Sequence, residues 1–487
     1  MTNIILPANT LSEDELTVPN ALNFMGVSDS ARFQRTNSAS GSSTQATLSA
    51  WIKYQGDISQ SVPIFMAPDA SGSNRFYINI ASSEEMGGTF RDPDCDFSST
   101  NDNKLRDPSA WYHIVAAINT NDGTAADRLK IWVNNQRIVL TFATGGGLGS
   151  AANIHFNTSG YKNIFGYNDV TNDGVGSLTD MYFSEVIKCD GQVLAPTDFA
   201  EYDSDTGIWV PKTGLEDTLT FGTTGYYYNF EDSDALGNDV SGNSNDASDI
   251  SNTSQSLDTP SNNFATLNSI NSTLTNTVIS EGNLKLVGGR QSVNYTFITG
   301  TIAPSSGKWY WEVKAVDNSE IDQVGVAKSD LAQFSNIDNS GGLYATTYGG
   351  KGVQMSNGNK VGDGAQSAYM GGFSANDICM IALDLDNTKI TFGRNGQWSN
   401  GSGGADQAYG AATAAYTNLT AGALYVPAQC MRDSGASNPG TMEYNFGNPL
   451  FAISSGNADG NGYGNFEYAP PSGFLALCTK NLSTENS

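Results

Sequence analysis

Three features of this sequence predict an all-β fold. The stretch 307–316 alternates, with Trp309, Trp311, Val313 and Ala315 on one face and Tyr310, Glu312 and Lys314 on the other. That is the period-two pattern of a half-buried antiparallel strand. A second run, 378–385, turns at Asp386-Asn387 and returns as 389–392, with Val324 to Ala327 lying between the two in sequence. The composition agrees: charged residues are 15% of the chain, hydrophobic ones 38%, and Gly, Ser, Thr and Asn fill much of the rest. Such a chain suits short strands joined by tight turns. Only 11–16 and 196–202 read as helical candidates.

The first domain begins near Val18. Residues 47–54 alternate, with Leu48, Ala50 and Ile52 on one face, and 111–118 form a strongly apolar strand. A turn at 121–123 follows, since Asp and Gly tolerate positive φ. Residues 128–133 then turn at Asn134-Asn135 into 136–140, and 178–187 make a late strand. This order, with "TLSAWIK", "WYHIVAAI", "RLKIWVNNQ" and "GSLTDMYFSEV", closely resembles a laminin-G-like, concanavalin-type sandwich.

A connector is expected over 213–266. Within it 225–230 reads as a strand and 237–246 as polar loop. "YYYNFEDSDALGNDVSGNSNDAS" is similar to the opening strand and loop of laminin-G-like modules, so it either closes the first sandwich or opens the second. The Ser/Asn/Thr-rich stretch 251–263 is the linker candidate. The second domain, 267–479, carries "GKWYWEVKAVD", "QVGVAKSD", "DICMIALDLDNTKITFGRNGQW", "LYVPAQC" and "TMEYNFG", and resembles a SPRY domain. The loop 399–417 is longer than a compact SPRY domain needs. Two antiparallel β-sandwiches of jelly-roll type are thus expected in tandem, with 1–17 as an N-terminal anchor and 480–487 as a loose tail.

The tandem, with its "NFEDSDALGNDVSGN" joint, "DTPSNNFATLN" and "APPSGFLALCTKNL", resembles structural proteins of marine tailed bacteriophages over 21–482. The resemblance implies a virion protein, a tail fibre or other surface appendage, with other virion proteins and host-surface glycans or proteins as partners. Capsid decoration and glycan depolymerisation are the alternatives. A homo-oligomer is expected, a trimer being a common form of phage appendages, and no heptad, collagen-like or β-helix repeat supplies a long fibre shaft.

Formal net charge is −26, from 24 Lys+Arg against 50 Asp+Glu, without a basic cluster. Nucleic-acid binding is therefore not expected, because it rests on clustered cations. The N-terminus lacks the pattern of a signal peptide, and no apolar run reaches transmembrane length. Assembly in the host cytoplasm, without membrane insertion, is the expectation. Five cysteines without a Cys-x-x-Cys pair argue against a disulfide framework and zinc.

Catalysis is not expected. Retaining glycosidases need two carboxyls about 5 Å apart. Glu185 and Glu312 are lone strand carboxylates, expected to face solvent. His113 and His155 have no nucleophile motif beside them. Residues 203–214 begin like a calcium loop but end on Gly214 where a bidentate Glu is required. No cofactor is expected beyond possible structural calcium. Its candidates are Asp169 and Asp173 with Asn168 and Asn172, and Asp239 and Asp246 with Asn243. Their ordinary alternative is hydrogen-bonded turn residues. Sugar binding uses exposed aromatics as platforms, and Tyr344, Tyr348, Tyr369, Trp398 and Tyr463 lie in Gly-rich segments of the second domain.

Overall fold

The computed structural model describes residues 18–484 except 25–30, 55–60, 69–74, 91–94, 100–104, 144–145, 167–180, 205, 270–276, 289–295, 318–321, 330–341, 347–348 and 432–439. The expected N-terminal anchor, Tyr348, Asp169 and Asp173 lie outside the described residues. The chain divides into two compact units at Asn262 and Asn263. Both are built almost wholly of antiparallel strands, and each is a sandwich of two large sheets.

In the first unit, the long strand Met181–Asp190 is central to one sheet. It pairs with Gln45–Tyr54 on one side and Ala21–Phe24 on the other. Alternation sends Leu48, Ala50 and Ile52 into the core, as their spacing requires. The turn at Asn134-Asn135 has φ of 47° and 65°, the left-handed pair of a tight hairpin that asparagine tolerates. The facing sheet includes Val62–Pro68, Arg75–Ile80 and Lys162–Phe165. Aromatic rings fill the gap between the sheets: Phe33 meets Tyr228 at 5.2 Å and Phe65 meets Phe165 at 5.2 Å.

The expected connector is largely structure belonging to this unit. Tyr226–Tyr228 pairs with Met181–Asp190, which resolves the open choice: the segment closes the first sandwich. The linker candidate 251–263 is also corrected. Asp249–Ser251 forms the edge of one sheet against Arg32–Thr36, and Thr253–Ser256 forms the edge of the other against Ala21–Phe24. Polar composition concealed these strands because edge positions carry little apolar burial. Lys53 and Asp258 lock the return with an ion pair at 2.6 Å. Near the two ends of the unit's described residues the chain meets itself: the Val18 N–H donates to Ser261 Oγ at 2.9 Å, and that hydroxyl donates to the Val18 carbonyl at 3.0 Å.

In the second unit, Lys308–Asp317 pairs with Ile378–Asp384 and Thr441–Asn445. Gln323–Lys328 lies in the facing sheet beside Tyr425–Met431. Trp309, Trp311, Val313 and Ala315 face the core as expected. The opposite face does not meet water, however, because Tyr310 and Glu312 are fully buried. A later segment covers them, with Phe466 edge-on to Tyr310 at 5.0 Å. The expected loose tail is also ordered structure over its described part, 480–484. Thr479–Thr484 is helical, and the Asn481 amide donates to Asp459 Oδ2 at 2.7 Å. Of the two helical candidates, 196–202 is a single 3₁₀ turn, Pro196–Asp198, followed by the strand Ala200–Tyr202.

Candidate binding surface

Two of the expected sugar platforms are core residues. Tyr369 donates its hydroxyl to the Thr413 carbonyl at 2.6 Å, and the same oxygen accepts the Phe392 N–H at 3.3 Å. Its ring is 1% exposed. Trp398 is buried between Tyr310 and Tyr409, with ring centroids 6.4 and 5.0 Å away. Gln397–Ser399 and Ala405–Gln407 prolong the sheet through the Gly-rich stretch, so its aromatics turn inward. Tyr344 ends the 3₁₀ turn Gly342–Tyr344. Tyr463 has a half-buried ring, with the Lys480 ammonium 5.9 Å from its centre. Its loop pivots on Asp459, whose Oδ1 accepts the N–H groups of Asn461 and Tyr463, each at 2.9 Å.

The strand carboxylates are buried, which corrects the expectation that they face solvent. Glu185 sits on a β-bulge in Met181–Asp190 with φ of 50°. The Tyr227 hydroxyl donates to it, and burial pushes its carboxyl up to about 8. Glu312 accepts from the Tyr310 hydroxyl, the Asn445 amide and the N–H groups of Glu467 and Tyr468, at 2.7–3.1 Å. Burial raises it to about 7 against the pull of those donors. The two residues belong to different units, and each is enclosed within its own.

His113 lies 2.8 Å from Ser49 Oγ through Nε2, the spacing of a nucleophile and its base. Its other nitrogen decides otherwise. The Trp209 indole N–H donates to Nδ1 at 3.1 Å, so the proton of the neutral ring resides on Nε2, which donates to Ser49. Burial lowers the imidazole to about 3. Stacked on Trp51 at 4.8 Å, it fixes the strand pair and cannot take the serine proton.

The acidic turn residues are also committed. Asp239 Oδ1 accepts the N–H groups of Tyr227 and Ser241 at 2.8 and 3.0 Å, and Oδ2 accepts that of Asn245 at 2.7 Å. Asp246 Oδ1 accepts the Asp239 N–H at 2.9 Å, and the Asn243 amide donates to the Gly222 carbonyl at 2.7 Å. This is the wiring of a turn, the ordinary alternative expected for Asp239 and Asp246. Among the described residues no cluster of three His, Cys, Asp or Glu could hold a metal.

Sequence reasoning missed an open groove of about 420 Å³ in the first unit, between 233–238 and 246–253. Leu236, Ala247 and Ile250 pack on the core and give it an apolar floor, while Asp234, Asp246 and Asn252 stand among its polar lining. The edge strand Asp249–Ser251 runs along it. The groove offers contacts for binding and no nucleophile–base pair. Its only signal was the mixture of single apolar residues within a polar loop.

The SPRY domain family model matches residues 308–426, wholly within the second unit. No curated protein sequence matches the chain. Among solved structures, the chain is similar to the SPRY domain of human HERC1 at 15% identity, over 37% of this chain and 95% of that one, with a TM-score of 0.27. The heptameric SAP-like pentraxin of Limulus polyphemus is similar at 14% identity, over 37% and 80%, with a TM-score of 0.28. Stonustoxin is similar at 17% identity, over 37% and 27%, with a TM-score of 0.28.

Proposed function

We propose that this chain is a non-enzymatic recognition protein whose second sandwich binds a protein partner through its loops. The match of 308–426 to the SPRY domain family carries the reading, since loops on a rigid sandwich are suited to selective contact. The burial of Glu185 and Glu312 and the tautomer of His113 support a binding role over catalysis. The finer reading is a virion surface protein, a tail fibre or similar appendage that contacts the host surface. It rests on the tandem's resemblance to phage structural proteins. The acidic surface fits a protein that stays dispersed and avoids nucleic acid.

Antibody-gold labelling of intact particles, followed by binding of the purified chain to host cells, tests both levels. Label on the tail, with binding abolished by protease treatment of the cells, is the expected result. Loss on periodate treatment alone would replace the protein partner by a glycan. Label spread over the capsid, with no cell binding, would overturn host recognition in favour of shell decoration.

A further inference from the structure

Lys188 has no exposed surface and lies in the core of the first unit. It stands on Met181–Asp190, and its Nζ donates to the Phe156 carbonyl at 3.0 Å and to Asn163 Oδ1 at 3.1 Å. The rings of Phe156 and Tyr226 enclose it, each centroid 5.4 Å away. Among the described residues no carboxylate comes within ion-pair distance. Two acceptors match the two hydrogens of a neutral amine and leave its lone pair uncommitted. Burial lowers this lysine well below its usual range, the Asp190 charge acting against that shift and the Arg35 charge with it.

Asn163 is equally enclosed, on Lys162–Phe165 of the facing sheet. The Tyr226 hydroxyl donates to its Oδ1 at 3.2 Å, and its Nδ2 donates to the Phe156 carbonyl at 3.3 Å. One carbonyl oxygen therefore gathers the amine and the amide nitrogen side by side, while a phenol polarises the amide carbonyl.

We propose that Lys188 and Asn163 form a self-generated isopeptide bond that joins the two sheets of the first unit. The lone pair of Nζ attacks Asn163 Cγ, and the Tyr226 O–H stabilises the oxyanion that forms there. A proton passes from Nζ to the adjacent Nδ2, the Cγ–Nδ2 bond breaks, and ammonia leaves. A secondary amide remains, Tyr226 keeps its proton, and no oxidant or co-reactant is consumed. The enclosed site withholds the water that would hydrolyse the intermediate instead.

Mass spectrometry of the folded full-length protein, followed by denaturation and tryptic digestion, tests the bond. The intact chain should be lighter than its sequence by one ammonia, about 17 Da. Trypsin should fail to cut after Lys188, so the peptide 163–188 is replaced by a light 163–212. Succinimide formation at an Asn-Gly pair loses the same mass, but it leaves Lys188 cleavable and persists in Lys188→Met. Tyr226→Phe, which keeps the ring, should accumulate the bond more slowly. Recovery of 163–188 at its unmodified mass from folded wild-type protein overturns the proposal, whatever the variants do.

Discussion

Lys53 and Asp258 lie 205 positions apart, yet they meet at 2.6 Å with side chains 1% and 0% exposed. The Trp111 indole N–H donates to the second carboxylate oxygen at 2.8 Å. Removing one member of such a pair strands a buried charge, whereas replacing both with apolar groups does not. Asp258→Ala should therefore lower the stability of the first unit by about 3–5 kcal/mol. The double variant Lys53→Met/Asp258→Leu should recover most of that loss. Urea unfolding of the three proteins checks it, and a double variant as weak as the single one would refute the ion-pair account.

Glu185 makes stability depend on pH in a defined direction. Its carboxyl is raised from 4.5 to about 8 in the fold, so the native state holds a proton that the unfolded chain has released. The contribution is complete below 4.5 and disappears as pH rises through 8. Glu185→Gln keeps a neutral group in place and should flatten the decline of unfolding free energy between pH 4.5 and about 8. An identical slope in the variant would show that the carboxylate is already ionised in the fold.

Tyr369→Phe should destabilise the second unit by about 1–3 kcal/mol, because it leaves the Thr413 carbonyl and the Phe392 N–H without their partner. Partner binding per folded molecule should be unchanged. A variant with wild-type stability but lost binding would put this ring back on the recognition surface.

Asp239→Ala removes the acceptor of three backbone N–H groups and should cost on the order of 3 kcal/mol. Thermal midpoints with calcium and with a chelator should fall equally. A midpoint difference that calcium produces in the wild type and Asp239→Ala abolishes would make this carboxylate a ligand after all.

Alternation within a strand was readable wherever one face met the core. Trp309, Trp311, Val313 and Ala315 stand where their spacing places them, and Asn134-Asn135 makes the left-handed turn its residues favour. What lay beyond local pattern was coverage. Glu312 reads as a solvent-facing residue until the backbone of Glu467 and Tyr468, over 150 positions later, folds onto it. Tyr369 and Trp398 misled for the same reason, since Gly-rich surroundings suggest loop but here permit close strand packing. The polar edge strands at 249–256 have almost no apolar signature, and pairing alone reveals them.

The contact of Val18 with Ser261 has a mechanical consequence. A pull travelling along the chain enters the first sandwich at one of these residues and leaves at the other. The load falls on that clasp and on the adjoining pair Ala21–Phe24 with Thr253–Ser256. While the clasp holds, everything between hangs as an unstressed side loop, and the sandwich can keep its surface intact under tension.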